Sequence, residues 1–295
     1  GPPFADVALR QAIDGGHVQG PRVIPAGVSF GATGGHCDHT GLPHSMEMRN
    51  EYNADSPDAA RHSVREVRKY GAQVIKVCAT GGVFSHNTEP GQQQMTEAEL
   101  RAVADEAHMW GLKVAAHAHG TEGIKAAIRA GIDTIEHASL IDDEGIRLAR
   151  EHGTWLSMDI YNTDFTQATG TEFGVTEDNL RKDREIAQAQ RDNFRRAHQA
   201  GARMVFGSDA AIYPHGRNAE QLAVMVRYGM SPAEAIQAAT WNAAQALGRE
   251  TDVGAVAVGR YGDLIAVAGD PLADVTALQT VAVVVKGGEV VKDAR

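Results

Sequence analysis

Two short apolar runs, each ending in histidine and separated by a helix-length segment, constrain this chain more than anything else in it. Lys-Val-Ala-Ala-His-Ala-His-Gly over 113–120 carries the first run, and Asp-Thr-Ile-Glu-His over 133–137 carries the second. Residues 121–130 lie between them and Gly131 closes the segment, so the stretch reads as strand, helix, strand. In parallel α/β folds ligands bind at the carboxyl ends of the strands, while strand middles only fill the core. A strand-end imidazole is therefore worth more than an average one. Taken alone, His117 is more often a satisfied core histidine than a ligand; repetition is what changes the weighting.

The pattern recurs. Gln-Val-Ile-Lys-Val-Cys over 73–78 places Lys76 inside an apolar run, where burying an ammonium is costly unless it is paired or chemically altered. Met-Val-Phe-Gly-Ser-Asp over 204–209 ends a further run in a carboxylate. Four strands are thus expected to deliver Lys76, His117, His137 and Asp209 to one face. Imidazoles and an aspartate beside a lysine suit a divalent metal, which takes nitrogen and oxygen ligands.

Those four residues, with Ser-Phe-Gly-Ala-Thr-Gly-Gly-His-Cys-Asp over 29–38, Ile-Lys-Val-Cys-Ala-Thr-Gly-Gly-Val over 75–83 and Met-Asp-Ile-Tyr-Asn-Thr-Asp-Phe over 158–165, make the chain resemble the amidohydrolase superfamily. Within it, the resemblance is to the imidazolonepropionase-like branch that includes Xaa-Pro dipeptidases and ochratoxin-hydrolysing amidohydrolases. It implies a (β/α)8 barrel with a small β-sandwich formed partly by the C-terminal tail. It also implies two divalent metal ions, zinc foremost, with Lys76 carboxylated so that its carbamate bridges them. Lys76, His117, His137 and Asp209 match the metal ligands; Asp209 also moves the proton, and His119 matches a catalytic substrate contact. Val83, Tyr161, His215 and Arg217 are further expected substrate contacts. Tyr161 with Phe165 reads equally as an aromatic wall or as loop packing, and Arg217 equally as a carboxylate clamp or as a surface residue at a helix start.

One departure stands out: no His-x-His pair precedes Lys76, although the family carries one on its first strand. The expectation is that the first strands lie in a segment preceding this chain. The tail, with β runs over 253–270 and 281–292 and a hairpin at Lys286-Gly-Gly-Glu289, would then be half of a sandwich with exposed strand edges. The expected domains are a hydrolase barrel over 1–250 and the sandwich part over 251–295.

A formal charge of -10 argues against nucleic-acid binding, which selects basic patches. No run reaches the ~20 apolar residues of a membrane helix. The two cysteines, Cys37 and Cys78, give no disulfide framework. The expected setting is cytoplasmic, with a secreted or periplasmic one as the alternative, and the resemblance implies a small amide substrate as partner and a homo-oligomer as assembly.

Locally, residues 4–15 read as a helix, 21–29 as a strand, 30–57 as a long loop, and 154–159 as a strand. Ser56-Pro-Asp58 and Thr96-Glu-Ala-Glu99 open helices, and 178–200 is an amphipathic helix with a solvated basic face. Three functions are compatible: an amide hydrolase acting on N-acyl amino acids or dipeptides, ochratoxin A included; a cyclic-amide hydrolase; and a non-catalytic metal-binding barrel.

Overall fold

The computed structural model describes residues 2–46 and 48–295. They fall into two compact units, one ending at Thr154 and the other beginning at Trp155.

The first unit contains α1 (Ala5–Asp14), α2 (Pro57–Lys69), β1 (Val74–Cys78), α3 (Glu97–Met109), β2 (Lys113–Ala118), α4 (Thr121–Arg129), β3 (Thr134–His137) and α5 (Asp143–His152). The three strands are parallel, with Cys78 opposite His117 and Ala118 opposite His137. Ile75, Val77, Val114, Ala116 and Ile135 are fully buried, as are Val64, Leu100, Val103, Ile124 and Ile128 from the covering helices. Each large side chain of this set contributes about 1.5–3 kcal/mol of burial. Alternation along β1 puts Ile75 and Val77 into that layer and Lys76 on the opposite side of the strand.

Helix starts follow local chemistry. The Ser56 hydroxyl accepts from the Ala59 amide with Pro57 at the first helical position of α2. In α3 a complete capping box joins Thr96 and Glu99, whose carboxylate accepts from the Thr96 amide at 2.8 Å. Thr96→Ala is expected to lower stability by about 1 kcal/mol in urea denaturation; an unshifted midpoint would show that the box contributes nothing.

The second unit contains β4 (Trp155–Ser157), α6 (Asn162–Thr169), α7 (Glu177–Gln199), β5 (Met204–Val205), α8 (Glu220–Arg227), α9 (Pro232–Ala239), α10 (Trp241–Ala246), β6 (Leu264–Val267), β7 (Val281–Lys286) and β8 (Glu289–Asp293). β4 and β5 are parallel. β6, β7 and β8 form an antiparallel sheet with β7 in the middle. Its last turn is Gly287-Gly288 with φ of 60° and 88°, the left-handed pair that a two-residue hairpin needs. Parallel strands alternating with helices, followed by this small antiparallel sheet, give the α/β class expected from the sequence. Among the described residues no helix is long and apolar enough to cross a membrane.

Four local expectations are corrected. Residues 21–29 form no strand; Pro21 and Pro25 remove ladder donors, and the segment docks through Gln73 N–H on Pro25 O and one parallel bridge from Phe30 to Val77. Cys37 and Cys78 are joined in a disulfide, their Cα atoms 5.8 Å apart, which ties the 30–57 loop to β1. That loop also holds a 3₁₀ turn at His44–Met46. On α7 the basic face is only partly solvated: Lys182 is 1% exposed and reaches Asp178 at 2.9 Å, one helical turn earlier. Its neighbour Asp183 is buried against Thr163 and Gln167, and burial raises its carboxyl pKa.

Candidate functional site

In the first unit β2 and β3 carry three imidazoles into one cluster. Ring centroids are 4.7 Å apart for His117 and His119, 4.6 Å for His117 and His137, and 4.5 Å for His119 and His137. One nitrogen from each lies within 4.8 Å of the others. His117 lies in β2, and His119 follows directly after the last residue of that strand. At His137 and Ala138 the backbone turns left-handed, with φ of 68° and 47°, which breaks the alternation of β3 at its final residue. Such outliers persist where the surroundings over-determine them and point to function; here Ala138 N–H is held by Ala118 O at 3.0 Å.

Two rings have visible orienting partners. His117 Nε2 lies 3.0 Å from Gly81 O, a contact that requires the ring to donate there and leaves Nδ1 as the lone-pair nitrogen. His119 Nδ1 lies 2.8 Å from Ser139 Oγ, while the His119 amide donates to Thr80 Oγ1 at 2.9 Å. Burial holds the pKa of His117 well below the usual 6.5, with smaller electrostatic contributions in the same direction from His36, His137, His119 and Lys76, so its ring is neutral at pH 7.

Lys76 is half-buried, which corrects the expectation of a buried lysine; it stands in β1 opposite Ala115, two residues before His117's partner Cys78. Val83 is buried in the loop after β1. From sequence, His36 reads equally as a solvated loop side chain or as a residue of the catalytic face; it stacks on His117 with centroids 4.1 Å apart, its Nδ1 2.9 Å from Ser85 Oγ. A methyl on Gly82 would stand 2.3 Å from His36 Cε1, so the approach of the loops requires glycine there. The Thr-Gly-Gly-His text was the available signal, without periodicity to support it.

In the second unit, Asp209 follows β5 with left-handed φ of 49° and is exposed. Its Oδ2 accepts from Asn162 Nδ2 at 3.0 Å, and the same amide lies 3.2 Å from Asp159 Oδ2. Tyr161 and Phe165 are buried and pack on Tyr213, in line with the packing reading. The Tyr161 hydroxyl donates to Glu220 at 2.6 Å, and burial with that carboxylate raises its pKa; Tyr213 is pushed up to about 12, chiefly by burial. Arg217 forks onto Glu220 through Nε at 2.6 Å and Nη2 at 2.9 Å, and holds that carboxyl below its usual value. His215 is exposed.

The described residues thus bring His117, His119, His137 and His36 together, with Lys76 near enough to act on His117 electrostatically. Asp209, Tyr161 and Arg217 belong to the second unit, where each is held by a named partner.

A family model described as the amidohydrolase family matches residues 2–291. An ochratoxinase from Aspergillus niger is 33% identical over 96% of this chain and 63% of its own length, so the chain spans less than two thirds of that relative. Among solved structures, a Xaa-Pro dipeptidase with methionine in its active site superposes with a TM-score of 0.92 at 35% identity, covering 98% of this chain and 73% of that one. A prolidase complexed with N-methylphosphonate-L-proline gives a TM-score of 0.90 at 31% identity, covering 99% and 74%.

Proposed function

We propose, from the premise that this chain belongs to the amidohydrolase family, that it is a metal-dependent hydrolase cleaving the amide or peptide bond of N-acyl amino acids or dipeptides. The observation that carries the reading is the group of imidazoles at the ends of two parallel strands, buried His117 and His119 with half-buried His137. These donors fit a divalent ion. Their nitrogens lie within 4.8 Å, Gly81 and Ser139 fix two of the rings in the way that ligating histidines are ordinarily held, and His117 is in the neutral form that binds metal.

In this reading His117 and His137 hold metal. Lys76, carboxylated to a carbamate, would add an oxygen ligand, and Asp209 would supply a carboxylate. Zinc suits such a nitrogen and oxygen set. When bound, the ion polarises an amide carbonyl and lowers the pKa of water toward ~7. Asp209 takes a proton from the attacking water and returns it to the leaving amine. His119 keeps Nδ1 on Ser139, and its Nε2 orients the substrate carbonyl.

The substrate class follows from the relatives and from Arg217. A guanidinium already forked onto Glu220 is preorganised for a carboxylate, so a substrate's terminal carboxylate competes with Glu220 for the same fork. Val83, Tyr161 and His215 are assigned as further contacts of the substrate. Removal of a C-terminal amino acid from an acyl group is then the reaction, with the amide bond of ochratoxin A as a candidate.

The test combines elemental analysis of the purified protein with a substrate panel of N-acyl amino acids, Xaa-Pro dipeptides, ochratoxin A and cyclic amides. Bound divalent metal is expected, with turnover of the acyl amino acids, its loss on chelation and its return with zinc. Metal binding without turnover of any panel member would overturn the reading, and turnover confined to the ring substrates would replace it with cyclic-amide hydrolysis.

A further inference from the structure

Between β4 and α6 the chain makes a turn whose backbone is held unusually well. Gln221, fully buried on α8, accepts from Tyr161 N–H through Oε1 at 2.7 Å and donates through Nε2 to Met158 O at 2.8 Å. Within the turn, Asn162 N–H donates to Asp159 O at 3.1 Å. Buried Asp159 is in turn held from α7, where Gln190 Nε2 approaches its Oδ1 at 3.3 Å. The first residue of α6 therefore projects from a fixed frame.

That residue is Asn162, and its amide has only one sensible orientation. The carboxylates of Asp159 and Asp209 only accept, which turns the amide nitrogen toward them, and Thr166 Oγ1, one helical turn along, donates to Asn162 Oδ1 at 3.3 Å. Nδ2 then offers its two N–H groups to Asp159 Oδ2 at 3.2 Å and to Asp209 Oδ2 at 3.0 Å. Carboxylate oxygens of these two aspartates lie within 4.8 Å, close enough to repel, and a neutral double donor between them offsets that repulsion without adding charge. Nothing in helix formation asks for asparagine here: no side-chain cap is present at the start of α6.

We infer that Asn162 is a positioning residue: resting on the hydrolase reading above, its amide fixes the plane of the Asp209 carboxylate so that the metal and the transferred proton meet it in one orientation. Asp209 is exposed and follows a strand of two residues, so the strand itself does little to hold its side chain. The chain Gln190, Asp159, Asn162, Asp209 supplies that hold from α7. Partners that support a metal-binding group in this way are typically worth about 10–100-fold in affinity or activity.

Asn162→Ala removes the donor, and Asn162→Asp keeps the shape while replacing the donor by an acceptor. Both are to be compared with wild type by Co(II) titration, by the visible spectrum of the Co(II)-loaded protein, by steady-state kinetics on the best panel substrate, and by circular dichroism. The expected result is a kcat lower by about 10–100-fold in both variants, KM within about threefold, an altered Co(II) spectrum, and an unchanged fold. Folded variants with wild-type kcat and spectrum overturn the inference, as does an effect confined to KM, which would make Asn162 a substrate contact. If both variants fail to fold, its role is structural and the inference falls. A wild-type protein that takes up no Co(II) overturns the metal reading itself, whereas normal wild-type uptake with unaltered variants overturns this inference alone.

Discussion

Asp209→Asn is expected to keep its fold and much of its metal while losing about 10²–10⁴-fold in kcat, the range that a positioned acid or base contributes. The substitution isolates proton transfer because it changes little else. Asparagine is one of the few residues that adopts a left-handed backbone readily, so the φ of 49° at this position is tolerated. The side chain keeps its shape and one oxygen, which still accepts from Asn162 Nδ2. What it lacks is a site that takes up and releases a proton at neutral pH. Steady-state kinetics beside elemental analysis measure the two properties separately; near-normal kcat with normal metal content would remove Asp209 from the proton path.

Lys76→Ala should reduce turnover to background and lower the metal content while leaving the protein folded. The fold is spared because alternation on β1 gives the core to Ile75 and Val77, both fully buried, and Lys76 contributes only a half-buried side chain from the other side. The site is not spared, because no other residue of β1 supplies an oxygen donor near the histidines if the carbamate is absent. The loss should exceed the roughly 10–100-fold of a merely supporting partner. Metal per chain, turnover and thermal unfolding on the same preparation test this, and unchanged turnover would sink the carbamate assignment.

The sequence made the strand ends legible because a parallel sheet concentrates chemistry there: an apolar run that stops at a histidine or an aspartate announces both the element and the place where its end residue stands. Lys76 was located correctly and its environment was not. An apolar run suggests burial throughout, whereas Val74 and Lys76 on β1 are only half-buried. His36 stayed open between two readings for a different reason. Its position depends on contacts far away in the chain, the bond from Cys37 to Cys78 and the close approach of Gly82, and a glycine-rich loop carries no periodicity from which either can be read. The stretch 21–29 misled through its β-branched residues, since two prolines left it extended but without a ladder. Asn162 and Glu220 were invisible as partners because each acts on a side chain more than forty positions away, Asp209 and Tyr161 respectively.

The bond between Cys37 and Cys78 also makes the robustness of this chain depend on its surroundings. Closing a loop across 41 positions removes freedom from the unfolded ensemble rather than adding contacts to the native one. By the loop-closure relation this is worth roughly 4 kcal/mol, a large share of what separates an ordinary folded domain from its denatured state. Where thiols are kept reduced that share is absent, and the same polypeptide samples open forms far more often than it does in an oxidising medium.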